Sequence, residues 1–333
     1  MICCLGDIHF RVDKDYFIKI CNDFIEWFSN WKYNNSQNTL VLAGDLVEAS
    51  VNSGIVIDFL ERFYLNSRFK AIHICAGNHD KKKHFGITQL AYEFYKSKEN
   101  IFIYEDPAET YIEDCDVLFL PYFVGMNDYG QTMKEYYSEI YKNPNFKNNY
   151  DLVVGHISDD SVLFGGIDCI ANLDKINTRV LCLGHVHNRV NPNIYIGSIF
   201  ANKKSENDDR RSAWILDKNH YAEDKLPLFN EFLNVSYPEK LPASKALTPI
   251  YTVLNCASEN VARSKYGDIF IRKVVSSETE TTKKPEEALA RQFESIKNVN
   301  IPDLFDAYVK TQENTIDPKI VRKCKRLLVT SNY

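Results

Sequence analysis

No apolar run in the 333 residues approaches the roughly 20 that a membrane-spanning helix needs. The opening Met1-Ile2-Cys3-Cys4-Leu5 lacks the charged flank and the apolar length of a signal peptide and reads as a buried first strand. No cysteine pair has CxxC spacing. The nine cysteines are odd in number, dispersed, and several, such as Cys75 and Cys182, lie in strand-like apolar runs. Such a set argues against a disulfide framework and for reduced thiols, so the expected location is cytoplasmic, with no membrane partner. An excess of positive charge is lacking too: 40 Lys and Arg face 45 Asp and Glu, a formal net charge of −5. That weakens a purely charge-driven hold on nucleic acid, which works by counterion release, unless bound metal ions carry the local positive charge. No internal repeat is visible.

What is present is the balance of a globular protein, 44% hydrophobic and 26% charged, and enough chain for one large domain with appendages. Over the first two hundred residues short β-branched runs alternate with helical-period segments, the pattern of a layered α/β fold. Strands are expected at 2–5, 39–43, 71–75, 116–120, 151–154, 179–183, 193–196 and 212–216. Helices are expected at 14–32, where Phe17, Ile20, Phe24, Trp27 and Trp31 recur at helical spacing, and at 52–65 and 131–142. After Asp217 the character changes. Residues 1–222 read as the main domain and 223–275, with strand candidates Ile250–Leu254 and Asp268–Val274, as a small α+β capping domain. Polar, aperiodic residues from Ser276 onward make 276–298 a linker, and 299–333 carries two short amphipathic helices broken near Asp317-Pro318.

The chemistry sits in glycine-bearing loops that follow the early strands: Gly6-Asp7-Ile8-His9, Gly44-Asp45, Gly77-Asn78-His79-Asp80, Gly155-His156 and Gly184-His185-Val186-His187. In open α/β sheets ligands gather beyond the carboxyl ends of the strands, so loops distant in sequence can converge there. Five of the eight histidines fall in these loops. Carboxylate, imidazole and one amide suit manganese, iron or zinc better than calcium. A carboxylate such as Asp45 can bridge two ions. Two ions about 3.5–4 Å apart can hold a phosphate, activate water and stabilise attacking and leaving oxygens. His79 stands beside Asn78, and Asp80 could orient its imidazole for transition-state or general-acid work.

The series GDIH, GD, GNHD, GH, GHVH resembles the calcineurin-like metallophosphoesterases over about residues 1–200, which implies a sandwich of two β-sheets flanked by helices. Within that superfamily it is more similar to SbcD, the nuclease subunit of the SbcCD complex, and to the recombination endonuclease subunits of tailed phages. The residues behind this are GNHD in place of GNHE, the absence of GDxVDRG after Gly44-Asp45, Tyr195-Ile196-Gly197-Ser198, and Glu206-Asn207-Asp208-Asp209-Arg210-Arg211 before Trp214-Ile215-Leu216-Asp217. The resemblance implies one metal on Asp7, His9, Asp45 and His187, and a second on Asp45, Asn78, His156 and His185. It makes His79 the catalytic, non-ligand histidine and manganese the expected ion. It further implies a DNA nuclease in end processing, recombination and repair, with the terminal helices binding the coiled coil of an SbcC-like ATPase. A homodimer would form through helices bearing Ile55, Ile57, Phe59, Leu60, Leu90, Tyr92 and Phe94. A small-molecule or cyclic-nucleotide phosphodiesterase is the alternative. Two departures stand out: Glu48 replaces a histidine associated with positioning DNA ends, and Ile199 follows Ser198 where proline is common.

Other residues have plainer readings. His73, inside a strand, is expected to be packed, and His220 to lie in a surface turn. Lys81–Lys83 and His84 read as a solvated face. Arg210 and Arg211 suit a phosphate clamp or a hairpin tip equally.

Overall fold

In this computed structural model, residues 1–48, 54–80, 93–122, 149–159, 176–188, 194–207 and 210–276 are described, with single positions or pairs at 142, 147, 169–170 and 173. The first strand, β1 (Ile2–Leu5), is apolar throughout because both of its faces are covered. Ile2 and Cys4 point into a core shared between two sheets, and Cys3 and Leu5 point onto helices. Those helices are α1 (Asp15–Asn30) and α2 (Gly54–Asn66). In α1 the residues Phe17, Ile20, Cys21, Phe24, Ile25 and Phe28 repeat at three- and four-residue steps and are all buried. The same alternation governs β2 (Thr39–Leu42) and β3 (Ala71–Cys75).

After α3 (Glu93–Lys96) come β4 (Ile101–Tyr104), β5 (Ala108–Ile112), β6 (Cys115–Leu120), β7 (Asn149–Gly155), the two-residue strands β8 (Ser158–Asp159) and β9 (Cys169–Ile170), and β10 (Asn177–Leu183). Next are β11 (Ser212–Leu216), β12 (Tyr221–Lys225), β13 (Asn230–Ser236), β14 (Thr248–Leu254), α4 (Glu259–Tyr266) and β15 (Phe270–Val275). One sheet has the order β12-β11-β1-β2-β3-β4 and the other β10-β7-β6-β5. Between them lie Val41, Ala43, Cys75, Val117, Phe119, Leu152, Val154, Cys182 and Trp214. This is the expected α/β sandwich. Strands β1, β2 and β3 run parallel, as do β6, β7 and β10, so their carboxyl ends can share one edge of the molecule.

The third sheet, β13-β14-β15, is also parallel. It packs on the helical core through Phe232, Ile250 and Phe270. Thr248 Oγ1 donates to Asp23 of α1 at 2.9 Å. A Ser258 cap, accepting from Val261 N, starts α4, and Gly267 at φ 73 ends it. Residues Met1–Val275 make one unit and Ser276–Tyr333 another. The linker at 276–298, the helices of 299–333, the helix at 131–142, Lys81–Lys83 and His84 lie outside the described residues, Ser276 and Lys142 excepted.

Among the described residues of the expected strand at 193–196 there is a single bridge, Tyr195 with Leu183. His73 is buried, with Nδ1 2.8 Å from the Tyr104 hydroxyl, and burial pulls it down to about 4, so its ring is neutral. His220 closes a turn in which Asp217 accepts from the backbone N–H of both Asn219 and His220. On α2, Phe59 and Leu60 face the core, whereas Ile55 and Ile57 are about half exposed. Leu90, Tyr92 and the Phe94 side chain lie outside the described residues. Among the described residues no helix is long and apolar enough to cross a membrane.

Candidate metal centre

The loops after β1, β2, β3, β7 and β10 meet at one place, fed by both main sheets. Asp7, His9, Asp45 and His156 are each no more than 1% exposed. Asp45 lies at the middle. Its Oδ2 is 3.5 Å from His9 Nε2 and 3.3 Å from His156 Nε2, and its Oδ1 accepts from His79 N at 2.8 Å. Asp7 Oδ1 accepts from His185 N at 3.0 Å and lies 3.4 Å from His156 Nδ1, while its buried Oδ2 has no hydrogen-bond partner. Asn78 Oδ1 sits 3.0 Å from His156 Nε2 and 2.9 Å from His185 Nδ1.

Close approach fixes what the loops can contain. Gly44 has φ +99, and a Cβ there would lie 2.1 Å from His156 Nδ1. A Cβ on Gly184 would lie 2.1 Å from the Ala43 carbonyl, the same carbonyl that faces His156 Nδ1 at 2.8 Å. His9, Asp45 and His185 themselves have positive φ, a strained conformation for residues with side chains. Gly44→Ala is therefore expected to cost about 2 kcal/mol or more in stability, through backbone strain and displacement of His156. Thermal denaturation and the metal content of the refolded protein would measure both effects.

The donor set fits divalent cations. His9 Nε2 and His187 Nε2 are 3.0 Å apart. Their other ring nitrogens face carboxylates, Glu48 Oε2 at 3.4 Å and Glu206 Oε1 at 3.2 Å. With both Nδ1 positions protonated, two lone pairs point at each other unless a proton or cation lies between them. Asp7, His9, Asp45 and His187 offer donor atoms all within 4.8 Å of one another. Asn78, His156 and His185 form an adjoining group around the Asn78 oxygen, in reach of Asp45.

Electrostatics agree. Burial works against a charged His156, yet Asp45 and Asp7 outweigh it and hold the ring up at about 9. Burial likewise opposes charge on Asp45, but His156, His9 and His79 hold its carboxyl well below the usual range. The metal-free site therefore keeps a proton on His156 below about pH 9, and an arriving cation must displace it. Metal affinity should rise with pH up to that point, with proton release at pH 7. Calorimetry in buffers of different ionisation enthalpy would show the release.

His79 stands at the rim, with Nδ1 2.8 Å from Glu48 Oε1. Burial pulls its pKa down, but Glu48 and Asp45 leave it raised overall. Asp80 is fully buried and accepts from Gly77 N at 2.8 Å and Val47 N at 3.2 Å, tying the third loop to the second. Asp80 thus braces the loop, and Glu48 places a carboxylate on the His79 ring. Arg211 faces inward. Its guanidinium donates to Ser198 Oγ at 2.7 Å and to the Glu206 carbonyl at 2.6 Å, a buried bracing role that is neither the phosphate clamp nor the hairpin tip expected from the sequence. Two residues escaped sequence reasoning. In the sequence Glu48 stands out only as a departure from the family pattern, and Glu206 only as part of a charged run.

Residues 1–189 match the calcineurin-like phosphoesterase family. The chain belongs to that family. Metal-dependent hydrolysis of phosphoesters is the family's chemistry, and the Asp and His cluster of this phosphoesterase supplies a candidate metal site for it. No curated protein sequence matches the phosphoesterase. Among solved structures it is similar to a protein of unknown function from Aquifex aeolicus, at 18% identity over 51% of this chain and 88% of that one. The TM-score of 0.28 is too low to bear on function.

Proposed function

We propose that the phosphoesterase is a two-metal DNA nuclease that hydrolyses phosphodiester bonds. The observation that carries the two-metal part is that the Asp45 carboxylate faces His9, His79 N–H and His156 from three other strand-end loops and shares a donor group with His187 of a fifth. Asp7, His9, Asp45 and His187 would hold one ion, and Asp45, Asn78, His156 and His185 the other. When bound, such a pair polarises the phosphoryl oxygens, lowers the pKa of a water and stabilises charge on the leaving oxygen. Manganese is the proposed ion, since mixed oxygen and imidazole donors accept it readily.

The chain's own residues supply the rest. His79, fixed through Nδ1 by Glu48, can present its other ring nitrogen to the leaving oxygen. With its pKa raised, the ring is poised to give a proton or a charge-assisted hydrogen bond. The DNA part of the reading rests on the likeness of GNHD and Tyr195-Ile196-Gly197-Ser198 to SbcD-type and tailed-phage nucleases. That loop abuts the site: Ser198 N donates to the His187 carbonyl at 3.2 Å, and Ile199 N to that of Asp7 at 3.0 Å. An SbcC-like ATPase on residues 299–333 and a homodimer through the α2 surface bearing Ile55 and Ile57 belong to the same proposal.

The test is cleavage of end-labelled linear duplex DNA in manganese, with bis-p-nitrophenyl phosphate as a small control ester. Degradation of the duplex supports the reading. Hydrolysis of the small ester, with intact DNA even in the presence of the ATPase, points to a small-molecule phosphodiesterase.

A further inference from the structure

Glu206 is 3% exposed, although it lies in a run of charged residues on a connection between two sheets. A carboxylate buried there needs partners, and it has three. Its Oε1 lies 3.2 Å from His187 Nδ1 and 3.5 Å from Lys203 Nζ, and its Oε2 accepts from Asn202 N at 2.8 Å. Asn202 Nδ2 also approaches His187 Nδ1, at 3.4 Å, but amide N–H groups cannot accept the ring proton and Glu206 can.

The loop that carries Glu206 is held from the small third sheet. Asn230 of β13 accepts from Ala201 N at 2.9 Å and donates to the Ala201 carbonyl at 2.7 Å. Asn207 makes the same two-way bond with Phe232, at 3.0 and 2.8 Å. Arg211 adds a bond to the Glu206 carbonyl. The loop is thus pinned on both sides of the carboxylate, and Glu206 meets His187 from a fixed position.

We propose that Glu206 is a positioning residue of the metal centre: it keeps the His187 proton on Nδ1 and aims Nε2 at the ion shared with His9. It acts through His187 and contacts no reacting atom. This rests on the metal-centre reading above but is independent of whether the substrate is DNA. Outer carboxylates on metal-bound imidazoles change metal affinity by about 10–100-fold when removed.

The test compares the full-length wild type with E206Q, which keeps the side-chain shape, and with E206A. Manganese affinity is measured by calorimetry. In the diamagnetic zinc-loaded protein, the hydrogen-bonded Nδ1–H of His187 is followed by nitrogen-edited proton spectra. For E206Q we expect one of two ions to bind at least tenfold more weakly, with the His187 Nδ1–H signal moved upfield or lost to exchange. The melting temperature of metal-free E206Q guards against simple unfolding. A loss of less than tenfold, or an unchanged Nδ1–H signal, overturns the proposal. If the wild type itself binds no ion, the metal-centre reading fails first, and the two failures are told apart.

Discussion

Asp45→Ala should remove both ions from the site and lower phosphoester hydrolysis at least about a thousandfold, equivalent to ~4 kcal/mol of transition-state stabilisation. In the proposed assignment every other ligand belongs to one ion, whereas Asp45 belongs to both. One of its oxygens faces His9 and His156, and the other takes the His79 backbone N–H. Among the described residues alanine also leaves His156 with Asp7 as its facing carboxylate, so the proton held there up to about pH 9 should come off at lower pH. Metal analysis after manganese loading, together with turnover of a generic phosphodiester, measures the two losses. Retention of both ions would show that another group bridges them.

The second large effect is kinetic and leaves the metal alone. His79→Asn is expected to reduce turnover by about 10²–10⁴-fold, the usual range for loss of a general acid or base, with metal content nearly unchanged. The reasoning is geometric. His79 is about a third exposed and its Nδ1 is engaged by Glu48, whereas the nitrogens of His156, His185 and His187 turn inward. Asparagine can keep the backbone N–H bond to Asp45 but cannot carry a proton at neutral pH. Glu48 faces both His79 and His9, so Glu48→Gln should lower turnover as well and disturb metal binding more than His79→Asn does. Unchanged turnover in the His79 variant would remove that residue from the chemistry.

Much of this was legible in the sequence because each piece obeys a local rule. The strands β1, β2 and most of β3 are buried on both faces and read as apolar runs, as does the end of β7. The loops that follow carry glycine and a donor because a backbone can turn that tightly against a metal site only there. The edge strands were not legible. Ala108–Ile112 and Tyr221–Lys225 alternate with solvent and carry Glu, Asp and Lys, and their pairing is supplied by neighbours rather than by their own propensity. Glu48 and Glu206 were obscured for a related reason. A charged residue in a loop ordinarily faces water, and only tertiary contact 31 and 19 positions away turns these two carboxylates onto imidazoles. Asp80 illustrates the converse. Its place beside His79 suggested a partner for that ring, yet backbone N–H groups of two loops claim its oxygens.

The most direct test of the central claim is a count of bound ions. Wild-type protein would be stripped with chelator, equilibrated with manganese at about pH 8, and assayed for metal per chain, with Asp45→Ala treated identically. The site described here predicts two ions in the wild type and none held tightly by the variant. A wild type that holds no stoichiometric manganese, or a variant that holds as much, would contradict a centre built on the shared Asp45.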